Sequence, residues 1–390
     1  MKINFKALVF FISIYYTLEQ TYFRGIKMLR IFFSGLLIII TLFFSGCNGN
    51  RKNIVIAAII PLSGSGEEIG NAIKNGITLA IKEINKKGGI DGSPLELVVK
   101  DNKSETSTLV KLFDEIENAY TPVVYISAFS YLSFPLAQPA LNSQVPLLGL
   151  AVGAEDFTSK NAYCYRFAPN NDDEISSILS HCDDLGIENP GIISLNDQYG
   201  KSLSLPLKEA FEKKGNTVKF YYYETNTIVF DDIVQDLLST DGIFAIGLNP
   251  HIKKIYETLE RNNYQGALFG ASNIASPEYK SSYISKTKYI GAPYIYNSNF
   301  IYATQLKNAY TATFNKELDH YSAGAYETTN IIANILEHTD HTKTALLSSL
   351  TQGFSYMGVF GEINAKPNQR DILFPVKKAK VYRGTVSFSE

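Results

Sequence analysis

The sequence predicts an α/β protein of two lobes, each a parallel sheet covered by helices. From Asn53 onward, short β-branched runs alternate with longer stretches of helical spacing, the pattern of strands and crossover helices. Ile69, Ala72, Ile73, Ile77, Ala80, Ile81 and Ile84 recur at steps of three, one and four, so they share one helix face that must pack on a sheet. The alternation runs in two series that meet near Arg166 to Asn170 without a low-complexity linker, which implies lobes joined by short structured crossings.

Taken in order, the first strand is expected over Ile54 to Ile60 and the first helix over the stripe just named. Gly88-Gly89 supplies a left-handed stop, Asp91-Gly92 a turn, and Leu95 to Lys100 the second strand. One βαβ unit is thus written out in about fifty residues. A helix over Thr106 to Asn118, a strand Val123 to Ser127, a Pro-interrupted helix to Asn142 and a strand Pro146 to Leu150 complete the first series. The second runs through helix Glu174 to Leu185, strand Gly191 to Leu195, helix Leu203 to Lys214, strand Thr217 to Tyr223 and helix Asp231 to Leu238. Strand Gly242 to Gly247, helix Ile252 to Asn262 and strand Leu268 to Gly270 follow.

Composition narrows the function. With 390 residues, 45% apolar and 19% charged, the chain has material for two cores. The formal charge of −2 gives no field to hold a polyphosphate, so nucleic acid is not expected as a partner. Cys47, Cys164 and Cys182 form no Cys-x-x-Cys pair and no zinc site. Cys164 and Cys182 flank the first crossing, and pairing or two buried thiols are both open.

Residues 1–46 read as targeting sequence. IFFSGLLIIITLFF, residues 31–44, is shorter than the roughly 20 residues that span a bilayer as a helix and follows Arg30, as a signal h-region does. Met28 makes a cleaner start than Met1, because Ala7 to Tyr16 duplicates the apolar segment. Phe44-Ser45-Gly46-Cys47 resembles a bacterial lipobox, with Phe44 where Leu is usual. That resemblance implies acylation of Cys47 and a lipid tether over 47–52. An ordinary signal peptide or short anchor is the alternative, and either keeps the mature chain outside the cytoplasm.

The stretch IAAIIPLSGSGEEIGNAIKNGITLAIKEINKKGGIDGSPLELVVKDN, residues 56–102, resembles the opening of type I periplasmic binding proteins of the leucine/isoleucine/valine class. VPLLGLAVGAEDFT at 145–158, Tyr163 to Pro169, Asn196-Asp197-Gln198-Tyr199-Gly200 and Gly358 to Asn364 extend the likeness over nearly all of the mature chain. The resemblance implies two doubly wound, Rossmann-like lobes joined by three crossings. The lobes are expected at 53–167 with 298–356 and at 168–297 with 357–390. It also implies a lipid-anchored, extracytoplasmic protein that captures a small organic ligand, such as an amino acid or amide, for an ABC permease, with no cofactor. A ligand-free clamshell acting as an interaction module is the competing reading.

Ligands of open parallel sheets sit beyond the carboxyl ends of the strands. Those loops nominate Ser63, Ile69, Phe129, Ser130, Tyr131, Ala151, Val152, Gly153, Tyr199, Leu248, Asn249 and Ser272. Ser130 offers a hydroxyl for a carboxylate, against a plain N-cap role. Tyr199 offers a ring and one hydroxyl, against a place in the core. Against the amino-acid pattern of the family, Ile69 replaces an aromatic, Gly153 a threonine and Ser272 an acid. Unless another acid enters the cleft, the expected ligand therefore lacks an unpaired ammonium group.

Two motifs point elsewhere. Gly64-x-Gly66-x-x-x-Gly70 with Asp101 imitates a dinucleotide fingerprint with one residue too many, and the same glycines match the binding-protein loop. Glu337-His338-Thr339-Asp340-His341 imitates a metal cluster but has the makeup of a solvated helix end. No Gly-x-Ser-x-Gly elbow occurs, so an enzyme is not expected.

Overall fold

The computed structural model describes residues 9–10, 52–169, 171–276, 286–293, 295 and 300–388. The targeting segment and Cys47 lie outside the described residues apart from Val9 and Phe10. The chain divides into units 1–52 and 53–390, and the second holds both lobes.

The first series is β1 (Ile54–Ile60), α1 (Glu67–Lys86), β2 (Leu95–Asp101), α2 (Leu109–Ala119), β3 (Val124–Ala128), α3 (Ser130–Ser133), α4 (Ala137–Asn142), β4 (Leu147–Leu150) and β5 (Cys164–Ala168). The second is α5 (Asn171–Leu185), β6 (Pro190–Leu195), α6 (Gln198–Lys213), β7 (Lys219–Tyr223), α7 (Asp231–Leu237), β8 (Gly242–Ile246), α8 (His251–Arg261), β9 (Ala267–Gly270) and β10 (Lys288–Pro293). The chain then returns through α9 (Ile301–Phe314), α10 (His320–Leu336), α11 (Lys343–Gln352), β11 (Phe354–Gly358), β12 (Gly361–Ala365) and β13 (Asp371–Leu373). It ends with β14 (Val376–Tyr382) and β15 (Thr385–Phe388).

The first sheet has the order β13-β5-β4-β3-β1-β2 and is parallel throughout. All seven residues of β1 are buried, because helices cover both faces of such a sheet and leave no solvated side. The second sheet runs β15-β14-β10-β9-β8-β6-β7, with β14 and β15 antiparallel at one edge. Its faces carry separate apolar clusters, around Ile193, Ile243 and Ile290 on one side and around Ile178, Phe244 and Phe269 on the other.

Gly70 of the fingerprint-like run and Gly76 beyond it serve packing. A side chain on Gly70 would run into the Pro61 carbonyl, and one on Gly76 into the Ser322 carbonyl of α10, so these glycines let α1 lie close to β1 and to α10. Gly64 has φ +81°, a left-handed conformation that favours glycine. Asp101 accepts from the Leu62 and Lys103 amides and from Ser63 Oγ, which folds the β1 loop onto the end of β2.

Three expectations need correction. The segment 357–374 belongs to the first lobe, because β13 pairs with β5 and Val359, Phe360, Ile363, Ile372 and Phe374 join the first core. The Phe360 and Phe374 rings stack at 4.4 Å, and the third crossing falls between Leu373 and Val376. Helix α6 starts at Gln198 rather than Leu203, because the Asp197 side chain accepts the Gly200 amide as N-cap. Tyr199 therefore stands in a helical first turn. Likewise α5 starts at Asn171, which puts Glu174 in its first turn. Cys164 and Cys182 are both buried and unbridged, one in each lobe.

Candidate ligand-binding cleft

The carboxyl ends of β3 and β4 face those of β6, β8 and β9 across a cleft of about 570 Å³, measured out to its open mouth. From the first lobe come Phe129, Ser130, Tyr131, Ala151, Val152 and Gly153, with His320 and Tyr321 from the start of α10. From the second come Asn171, Glu174, Asp197, Tyr199, Leu248 and Ser272. A contiguous recess, open to solvent, shares Phe129 and Leu248 and adds Ser65, Glu68, Ile69, Asn249 and Pro250. Eleven of the twelve nominated residues thus border the two spaces. Ser63 does not, since its hydroxyl is turned to Asp101 at 2.7 Å and braces the loop.

On the first lobe the loops are held in costly backbone conformations. Phe129 has φ +63° and Ala151 φ +52°, the left-handed region that non-glycine residues seldom adopt, and both follow directly on or near the ends of β3 and β4. Such strain persists only where the surroundings impose it. Here Arg166, 1% exposed on β5, donates from Nη1 to the Gly153 carbonyl at 2.9 Å and from Nε to Asp371 at 2.7 Å. Ser130 Oγ accepts the Ala154 amide at 3.3 Å, a bond between the two loops rather than a cap on α3.

On the second lobe two carboxylates face the cleft. Glu174 is buried and accepts from the Ser272 amide at 3.0 Å and the Ser272 hydroxyl at 2.5 Å. Burial pushes its carboxyl up to about 7, against the two Ser272 donors. Burial also raises the Asp197 carboxyl above its usual range, opposed by the Gly200 amide. The expectation of a missing acid is therefore overturned: Ser272 is no substitute for the acid but holds one supplied by α5. Burial pushes the His320 imidazole down to about 3, so that ring is neutral.

Tyr199 lies against Gly153. A Cβ at 153 would stand 2.7 Å from Tyr199 Cδ2 and 3.0 Å from Asn171 Oδ1, so the two lobes touch here only because residue 153 has no side chain.

Glu174, Asp197, Asn171, His320 and Tyr321 escaped sequence reasoning. An acid in a helix first turn is ordinary dipole chemistry, so Glu174 carries no local signal. Asp197 sat inside the Asn196-to-Gly200 motif and was legible as an N-cap. His320 and Tyr321 come from a helix far along the chain. The Glu337 to His341 run disperses: His338 bonds the Asn334 carbonyl, His341 meets Asp91, and Asp340 accepts from Thr342. Among the described residues no three His, Cys, Asp or Glu side chains converge as metal ligands would.

Two doubly wound lobes with their strand ends opposed across a lined cleft define a solute-binding protein of the clamshell class. The sequence profile of the periplasmic binding protein family matches residues 53–381, and the chain belongs to that family in its type I form, whose members bind solutes and are not enzymes. The Leu/Ile/Val-binding protein BraC3 of Rhizobium johnstonii is 25% identical over 169 residues, 43% of this chain and 46% of the relative. Leu/Ile/Val-binding protein homolog 3 of Brucella melitensis is 22% identical over 232 residues, 58% of this chain and 63% of the relative. Those alignments span about half to three fifths of the relatives' length. Among solved structures, the branched-chain amino acid transporter substrate-binding protein LivJ from Streptococcus pneumoniae, in complex with isoleucine, superposes with a TM-score of 0.77 at 21% identity. That match covers 87% of this chain and 99% of LivJ. A solute-binding protein of an ABC transporter from Rhodopseudomonas palustris, in complex with 3,4-dihydroxybenzoic acid, gives 0.75 at 17% identity, over 86% and 95%.

Proposed function

We propose that this protein is the extracytoplasmic binding component of an ABC importer, tethered through Cys47, that captures a small organic ligand between its lobes and delivers it to a permease. The observation that carries the reading is the cleft: side chains from both lobes converge on one space at the strand ends, where ligands of such sheets bind. The lobes would comprise 53–169 with 300–374, and 171–293 with 376–388.

Ligand contacts made to both lobes only when they are together shift the population toward closure. The ligand-free module rested on a weakened clamp at Gly153 and Ser272, and Glu174, held by Ser272, removes the second part of that motive. A thermal-shift screen of small metabolites tests the reading, because a ligand at about 100 times its Kd adds roughly 2.7 kcal/mol of stability. Tyr199→Ala should weaken whatever ligand is found by about 1–3 kcal/mol. If no solute moves the melting point, the transport reading fails. For the tether, Cys47→Ser should abolish acylation; a mature chain that begins elsewhere without lipid, seen by mass spectrometry, rules it out.

A further inference from the structure

We infer that the cleft is built for a ligand of net positive charge, an organic amine or quaternary ammonium compound without a free carboxylate. The inference rests on the cleft being the ligand site and names the class of ligand it takes.

Charge is the first observation. Glu174 and Asp197 line the main space, Glu68 lines the contiguous recess, and no Lys or Arg lines either among the described residues. The nearby buried cation, Arg166, is spent on Asp371 and the Gly153 carbonyl. His320, the one other basic side chain in the wall among the described residues, is neutral. A bound anion would meet these acidic groups with no opposite charge beside it, whereas a bound cation would favour the ionised forms of Glu174 and Asp197, whose carboxyls burial raises.

Shape is the second and is independent of charge. The space for any side chain at 153 is taken by the Tyr199 ring and Asn171 Oδ1, so residue 153 offers the cleft no side-chain hydroxyl. The same end of the cleft now presents aromatic faces: Phe129 and Tyr131, with ring centres 6.1 Å apart, and Tyr199 opposite. Aromatic faces attract a cation and offer nothing to a carboxylate. The acid end is reinforced, since Ser272 holds Glu174 by two hydrogen bonds.

The test is calorimetric titration of the full mature protein at pH 7.5 with four probes that share a branched isopentyl chain: isoamylamine and leucinamide as cations, leucine as zwitterion, 4-methylpentanoate as anion. Phenethylamine, putrescine and choline widen the cation set. At least one cation should bind ten-fold or more tightly than leucine, and 4-methylpentanoate should not bind. Glu174→Gln should weaken the best cation at least ten-fold, with the unfolding midpoint measured alongside. Asp197→Asn, which keeps an N-cap, provides a second variant that should weaken it as well. Tightest binding by leucine or by the anion, weakened in Tyr199→Ala, overturns the charge inference and leaves the cleft as the ligand site. No response from any of the seven probes overturns the charge inference, and the cleft as ligand site falls with it only if the wider metabolite screen is silent too. Tight cation binding that neither variant weakens places the cation elsewhere and also overturns the inference.

Discussion

Gly153→Ala is the change that most directly tests whether the lobes must meet for binding. The new Cβ would lie 2.7 Å from Tyr199 Cδ2, 3.2 Å from Cε2 and 3.0 Å from Asn171 Oδ1. Carbon atoms in contact settle near 3.5–4.0 Å, so about 1 Å must be found. Either the Tyr199 ring swings off the cleft or the lobes part, and both undo the arrangement that encloses a ligand. One extra methyl in a packed contact costs about 1–3 kcal/mol. Because the clash lies between lobes, that cost falls on the closing equilibrium and should raise Kd by about 5- to 150-fold. The melting point of the unliganded protein should move little, since neither core is touched. Titration with the tightest ligand from the screen supplies the measurement, and small-angle scattering should report a larger radius of gyration for the variant. A double-mutant cycle completes the argument: in a Tyr199→Ala background the added methyl should cost much less, as the clashing ring is gone. Wild-type affinity in Gly153→Ala would refute the reasoning.

Arg166→Met should destabilise the protein toward the lower end of the roughly 3–5 kcal/mol typical of breaking a buried pair, because Asp371 keeps partial access to water. An unchanged urea midpoint would show that the pair does nothing. Glu327 on α10 is buried and accepts the Phe360 amide at 3.2 Å, and burial pushes its carboxyl from 4.5 up to about 7. The folded state therefore holds a proton that the unfolded chain has released between those values. That contribution to stability is full below pH 4.5 and is lost as pH rises through 7. Glu327→Gln, uncharged throughout, should narrow the difference in melting point between pH 5.5 and 8.5; an unaltered difference would contradict this. Cys164 and Cys182 are buried and burial pushes both thiols up to about 12, so in a Cys47→Ser protein neither should react with a thiol reagent until the chain unfolds. Rapid modification of the native protein would count against their burial.

The alternating runs after Asn53, the single-face stripe from Ile69 to Ile84 and the Gly88-Gly89 stop were sufficient to specify strands, helices and two lobes, because they reflect local periodicity and backbone preference. The strand-end loops were equally legible, since a parallel sheet places its ligands there whatever the side chains. The sequence by itself also led toward a ligand without an ammonium group, as residue 272 was read alone. What only the tertiary structure decided is contact between residues distant in the chain. Glu174 and Ser272 meet from α5 and the end of β9, Gly153 and Tyr199 from opposite lobes, and Arg166 and Asp371 from strands joined only after the chain has crossed twice. No periodicity records such pairs, because side chains separated by tens to hundreds of residues are brought together by how the sheets stack. That stacking turned a serine in place of an acid into the holder of another acid.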